Sequence, residues 1–204
     1  MVKIVIIDYG IGNVKSLNRS FVKVGANVEI TADKQKIHDA DGLILPGVGA
    51  FEPAINNLKP LVSTIFEETN KGKPMLGICL GLQLMFSASE EGGFFKGLDI
   101  FKGNVIHFPD IKLKVPHMGW NSIRIEKPDH PLYVDIPQES YVYFVHSFFG
   151  AATNKDDILT TTDYGIRFPS SVGNDHIFAT QFHPEKSGTV GLKMLTNFIN
   201  FVKK

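Results

Sequence analysis

Lys73-Pro74-Met75-Leu76-Gly77-Ile78-Cys79-Leu80-Gly81-Leu82-Gln83 holds the only cysteine of the 204-residue chain, set between two glycines. A short apolar run that reads as a buried strand leads into Cys79. Leu80 to Ala88, rich in Leu, Met and Phe, reads as a helix leaving it. A strand-to-helix turn of this kind is a nucleophile elbow: glycines on both sides relieve the crowding and leave the sulfur exposed at the strand end. The unpaired N–H groups of the helix N-terminus then face the sulfur and favour thiolate over thiol. A free cysteine by itself is more often a buried small hydrophobe, so a nucleophile also requires a base elsewhere in the chain.

The best base is His183, in Ile177-Phe178-Ala179-Thr180-Gln181-Phe182-His183-Pro184-Glu185. The preceding residues alternate and favour strand, and Pro184 holds His183 extended. Side chains at i and i+2 of an extended segment share a side, so Glu185 converges on His183 and can fix its tautomer. His38, His130 and His176 lie in polar, loop-like surroundings and read as ordinary histidines, with His107, His117 and His146 intermediate. None of the seven stands at metal-ligand spacing, and no metal site is expected.

Lys+Arg and Asp+Glu both total 21, so no global field points to nucleic acid or an anionic membrane. A single cysteine excludes an intramolecular disulfide framework. The longest apolar stretch, Pro74 to Phe86, is too short to span a bilayer, and the N-terminus lacks a signal peptide's pattern. A cytoplasmic protein is expected. A chain of this length buries roughly 70% of its unfolded surface and forms one domain over residues 1–204.

Strands are predicted at Lys3 to Asp8, Asn27 to Thr31 and Gly42 to Leu45, and helices at Val14 to Val24 and from Phe51 to Asn70, with Pro60 starting a new helix. This alternation argues for a parallel sheet covered on both faces. Beyond Gly97 the texture is β-rich, with runs at Leu98 to Phe108, Met118 to Glu126, Tyr141 to Phe149 and Ile158 to Thr162. A closing strand carries His183, and a last amphipathic helix spans Thr189 to Val202. Gly10-Ile11-Gly12 lacks the third glycine and the distal acid of a dinucleotide fingerprint and reads as a tight turn.

Together, Gly77-Ile78-Cys79-Leu80-Gly81-Leu82-Gln83 and Phe182-His183-Pro184-Glu185 resemble the class I, triad glutamine amidotransferases. Asp8-Tyr9-Gly10-Ile11-Gly12-Asn13, Pro46-Gly47-Val48-Gly49-Ala50-Phe51, Pro116-His117-Met118-Gly119-Trp120-Asn121, Tyr143-Phe144-Val145-His146-Ser147 and His183-Pro184-Glu185-Lys186-Ser187-Gly188 are similar to the branch that serves as glutaminase subunits of imidazole glycerol phosphate synthases. Leu82 supports that branch, since the anthranilate and carbamoyl-phosphate branches usually have His there; Phe148 departs mildly from a common Tyr.

The resemblance implies an α/β three-layer sandwich around a mostly parallel, flavodoxin-like sheet. It also implies glutamine hydrolysis without a cofactor, and ammonia transfer to a separate cyclase subunit of (β/α)8 fold. Cys79 is then the nucleophile, His183 the general base and acid, and Glu185 its orienting partner. The oxyanion donors are the backbone N–H of Leu80 and one from Gly47, Val48 or Gly49. Gln83 and Glu91 are lesser candidates for holding the oxyanion-side loop and the substrate's α-amino group. Trp120 and Lys186 are candidates for the mouth facing the cyclase. Two other readings stay open, a cysteine-dependent redox or hydrolase domain and a catalytically silent binding module. The missing resolving cysteine weighs against the first and the intact triad against the second.

Overall fold

Strand periodicity sets the layers of this molecule. In the computed structural model, which describes residues 1–204, β1 (Lys3–Ile7), β2 (Asn27–Thr31), β3 (Gly42–Leu45) and β4 (Met75–Ile78) are joined by α1 (Val14–Lys23), the short α2 (Lys34–His38) and α3 (Phe51–Asn70). Ile4, Ile6, Ile44, Leu76 and Ile78 pack to one side with Leu17 and Phe21 of α1. Val5, Ile7, Leu43, Leu45 and Met75 pack to the other with Phe51, Leu58 and Ile65 of α3. Successive side chains of β1, β3 and β4 thus feed two cores, which is why these strands read as unbroken apolar runs, while the edge strand β2 alternates and turns only Val28 and Ile30 to one of them.

Beyond β4 come α4 (Leu80–Leu84), β5 (Phe86–Ser89), β6 (Phe95–Lys96), β7 (Phe101–His107), β8 (His117–Ile125), β9 (Ser140–His146), β10 (Phe148–Ala152), β11 (Ile158–Asp163), β12 (Arg167–Gly173), β13 (Ile177–Thr180) and α5 (Gly188–Val202). The main sheet runs β2-β1-β3-β4-β13-β12-β11-β8-β9, and a smaller one runs β10-β7-β5-β6. The strands from β2 to β13 pair in parallel. Those from β13 out to β9 pair antiparallel. The three-layer α/β architecture expected from the sequence is present, with a sheet more evenly mixed than the phrase "mostly parallel" suggests.

Five local expectations are corrected. α3 continues through Pro60, because Asn56 and Pro60 lie on its exposed side while Leu58, Leu61 and Ile65 bury the other. Water can satisfy the carbonyl that loses its donor there. The helix after Cys79 stops at Leu84 and does not reach Ala88. The N–H groups of Leu98, Ile100 and Phe101 take the carbonyls of Leu84 and Met85, and Phe86 and Ala88 pair with β7. Tyr141 to Phe149 divides at Ser147 between the two sheets. Finally, β12 corresponds to no predicted strand, and β13 ends at Thr180, three residues before His183.

Candidate active site

Cys79 sits where β4 gives way to α4, at φ 57° and ψ −111°, a left-handed backbone that costs a side-chain-bearing residue strain. The surroundings enforce it. Its N–H donates to Thr180 O of β13 at 2.8 Å, and its carbonyl accepts from Gln83 N at 3.2 Å. A Cβ on Gly81 would stand 1.9 Å from Leu45 O, so the glycine is dictated by the end of β3 as well as by the turn itself. With α4 only five residues long, the helix dipole at the sulfur is weaker than the expected longer helix would give.

His183 lies in an extended conformation just past β13, and Pro184–Lys186 form a single 3₁₀ turn. That turn, and not an extended i, i+2 pair, swings Glu185 back. His183 Nδ1–H donates to Glu185 Oε1 at 2.8 Å, both side chains being buried. With Nδ1 committed, Nε2 is the free nitrogen, and it is buried with no hydrogen-bond partner. Burial works to lower the His183 pKa, but the neighbouring Cys79 and Glu185 outweigh it and raise the value to about 9. The ring is anchored from the far half of the sheet: His183 N donates to Tyr143 O of β9 at 2.9 Å, and Ser187 Oγ bridges His183 O and Tyr143 N.

Cys79 and His183 open onto a cavity of about 270 Å³, which Val48, Gly49, Leu80, Gln83, Glu91 and Lys186 also line. Leu80, as the first residue of α4, has no carbonyl one turn earlier for its N–H. Gly47 is packed hard on it: a Cβ there would lie 2.7 Å from Leu80 Cβ and 2.9 Å from Gly81 N. Tyr9 of the first βα turn holds the same loop through its hydroxyl, which donates to Pro46 O at 2.5 Å. Gly49, at φ +94° with nothing within 4 Å of the place a Cβ would take, is the freer of the two loop glycines.

Of the lesser candidates, Gln83 donates to Phe148 O at 3.0 Å and to Gln181 Oε1 at 3.2 Å. Glu91 Oε2 accepts the Phe51 N–H at 2.9 Å and so caps α3, which leaves its other oxygen for the cavity. Trp120 is 55% exposed beside Met118 at 62% and Tyr141 at 61%, an apolar ridge on the outward face of β8 and β9. Lys186 stands over the Tyr143 ring, 5.7 Å from its centroid, and connects this ridge to the cavity.

The class I glutamine amidotransferase family model matches residues 5–201. Imidazole glycerol phosphate synthase subunit HisH of Methanosarcina barkeri is 52% identical over 98% of this chain and 99% of that protein. The subunit of the same name from Methanocaldococcus jannaschii is 48% identical over 97% and 98%. The chain belongs to the HisH family of class I glutamine amidotransferases. Two solved structures share its fold at low identity. They are a putative GMP synthase component from Thermoplasma acidophilum (TM-score 0.74, 22% identity, 100% of this chain and 94% of that one) and PurLQS from Thermotoga maritima (0.78, 17%, 98% of each).

Sequence reading of this HisH-family chain misses the polar groups that support the triad from beneath. His117 Nδ1 and His146 Nε2 are 3.0 Å apart, and His146 Nδ1 lies 2.8 Å from Phe148 O. Burial lowers His117 to about 4 and His146 to about 3, so both are neutral near pH 7. Gln181, fully buried, reaches Cys79. The only sequence signal for any of these is a polar residue in an otherwise apolar strand or turn.

Proposed function

We propose that this chain hydrolyses glutamine to glutamate and ammonia through Cys79, His183 and Glu185, as the glutaminase subunit of an imidazole glycerol phosphate synthase in histidine biosynthesis. Its ammonia passes to a separate cyclase subunit of (β/α)8 fold. The observation that carries this reading is the His183 Nδ1–Glu185 Oε1 bond, which leaves Nε2 free in the cavity that Cys79 lines. An imidazole tied at one nitrogen and free at the other is the acid–base element that a thiol nucleophile requires.

In the reaction, Cys79 Sγ forms a bond to the side-chain amide carbon of glutamine while His183 holds the thiol proton on Nε2. Collapse of the tetrahedral oxyanion breaks the C–N bond, and that proton leaves with ammonia. Water then attacks the γ-glutamyl thioester, giving up a proton to His183 Nε2, and the returning sulfur takes it back as glutamate departs. The oxyanion needs two donors. Leu80 N–H is one, and the peptide joining Val48 to Gly49 supplies the other once its N–H turns inward. Removing such a donor typically costs about 3–4 kcal/mol of transition-state stabilisation.

Val48 is exposed and Gly49 is unhindered, whereas Gly47 is wedged against Leu80, so the second donor is the adjustable part of the hole. Free ammonia is wasted, so the cyclase gates the glutaminase by setting that peptide when its own substrate is bound. The Met118, Trp120 and Tyr141 ridge beside the cavity mouth is the docking face of this cytoplasmic heterodimer, and residues 1–204 act as one domain. The test is glutamate release by the chain alone, with cyclase, and with cyclase plus its nucleotide ligand. A rise of one or more orders of magnitude in the last case is expected, and Cys79→Ala should abolish it. Equal rates in all three would remove the gating, and glutamine-dependent turnover by Cys79→Ala would remove the nucleophile.

A further inference from the structure

We infer that Gln181 is a catalytic residue of this glutaminase: its side-chain amide donates to Cys79 Sγ, in an orientation that the chain imposes from outside the site. Gln181 Nε2 lies 3.9 Å from Cys79 Sγ, and the residue is fully buried. A buried glutamine oriented the other way would present its oxygen to the sulfur and repel a thiolate, so the direction of the amide decides the effect.

Donor and acceptor logic fixes that direction, starting from Phe148 O. A carbonyl only accepts, so the Gln83 atom 3.0 Å from it must be Nε2. The second proton of Gln83 Nε2 points to Gln181 at 3.2 Å, which must therefore offer Oε1 there and turn Nε2 toward the sulfur. The anchor itself is doubly held. His146 Nδ1–H donates to the same carbonyl at 2.8 Å, so His146 Nε2 accepts from His117 Nδ1–H at 3.0 Å, and His117 Nε2 accepts from Asn121 Nδ2 at 3.3 Å. One assignment of donors and acceptors satisfies every link from Asn121 to Cys79, with both arms of the chain converging on Phe148 O as acceptor. On the backbone, Gln181 N donates to Ser170 O of β12 at 2.9 Å and holds the residue beneath the elbow.

The role follows from charge. The thiolate formed as His183 takes the proton is shielded from water, and the Gln181 N–H meets the negative charge as it develops; in the thioester it faces a neutral sulfur. The other titratable groups around Cys79 are His183, with Glu185 behind it, the Tyr9 hydroxyl, His146, and Glu91 and Lys186 at the cavity wall. All of these residues are retained when Gln181 is replaced.

This inference rests on Cys79 as the nucleophile, and its test uses a readout that does not. Because Cys79 is the only cysteine, iodoacetamide alkylation of the full chain reports on it alone. Gln181→Met removes the donor at similar volume, and Gln181→Glu keeps an acceptor for Gln83 while replacing the N–H. Both should displace the alkylation-rate profile to higher pH and slow modification at pH 7 by about tenfold, with Glu the stronger, and both should lower kcat more than they raise KM. Wild-type profiles in either folded variant overturn the inference while leaving the glutaminase reading intact. The wild-type chain offers an independent check. The Gln181 side-chain NH₂ resonance should move when Cys79 is alkylated, and a stationary resonance also overturns it.

Discussion

The parallel half of the main sheet and its antiparallel half contribute to the same site in different ways. The parallel strands deliver the proposed reacting groups at their carboxyl ends: Cys79 after β4, the Pro46–Gly49 loop after β3, and His183 after β13. The antiparallel half supplies supports. Tyr143 O of β9 holds the His183 backbone, Ser170 O of β12 holds Gln181, and His117 and His146 steady the Phe148 carbonyl. The same half presents the Trp120 ridge outward. One backbone hydrogen bond, His183 N to Tyr143 O, thus joins the strand that carries part of this ridge to the His183 backbone.

The sharpest way to break this division is within the triad. His183→Ala should cost more than about 10³-fold in kcat/KM, close to the loss for Cys79→Ala, since the thiol then lacks both its proton acceptor and the later acid. Glu185→Gln should cost less, because it removes tautomer control and charge but leaves the base. Steady-state glutamate release on the cyclase-bound chain measures both. If Glu185→Gln is silent, the 2.8 Å contact is structural and the chemistry runs on a dyad.

Next in size is a stability test of the parallel half. Gly81→Ala places a methyl 1.9 Å from Leu45 O, a backbone atom that cannot swing away, so α4 and β3 must part. About 3 kcal/mol of destabilisation is expected in urea unfolding, together with loss of activity. Gly119→Ala on β8 has no atom within 4 Å of the added methyl, and its cost comes from a φ of +130° alone. A cost at Gly81 no greater than that at Gly119 would show the elbow to be looser than its contacts suggest.

The two halves also separate by pH. His183, raised to about 9 from 6.5, contributes stability that is complete below 6.5 and is lost as pH rises through 9. His117 and His146 are lowered to about 4 and about 3, so the unfolded chain binds more protons than the folded one below 6.5. Their contribution shrinks as pH falls from 6.5 toward 4 for His117 and toward 3 for His146. A plot of unfolding free energy against pH should thus decline on both sides of neutrality. His183→Gln should flatten only the alkaline limb, and His146→Gln only the acid limb; any exchange of these effects sinks the assignment.

Legibility in the sequence follows the same boundary. Strands buried on both faces announce themselves as apolar runs, and the elbow and His183-Pro184-Glu185 are local patterns, so the parallel half and the meeting of Cys79, His183 and Glu185 at one site can be read directly. The division of Tyr141 to Phe149 between two sheets cannot, because it depends on which distant strands offer partners to each side of Ser147. α4 ends early for a similar reason: N–H groups from Leu98, Ile100 and Phe101 claim the carbonyls of Leu84 and Met85. Gln181 and the His117–His146 pair are invisible, since their meaning lies in links 29 to 102 residues apart in sequence. The family resemblance makes Glu91 a lesser candidate for the oxyanion-side loop or the substrate's α-amino group, and the Phe51 N–H gives one of its oxygens a capping role that no local pattern signals.

The smallest expected effect tests the outward face. Trp120 and Met118 alternate with less exposed positions on β8, Trp120 pairs across to Tyr143, and β9 is the edge strand of the sheet. A large indole left more than half exposed beside two other exposed apolar side chains forms a patch of the kind that anchors partners. Trp120→Ala should raise the Kd for the cyclase by about tenfold, roughly 1.4 kcal/mol, by titration calorimetry. Because the ring is 55% exposed and meets Tyr143 in an edge-to-face contact, 6.2 Å between centroids, the unfolding midpoint should stay within about one degree of the unmodified chain. Arg124→Ala, on the same outward face of β8 two strand periods further along, supplies the control for a general loss of surface. An equal effect from both would assign the affinity to β8 as a whole, and no effect from Trp120 would move the docking face away from the ridge.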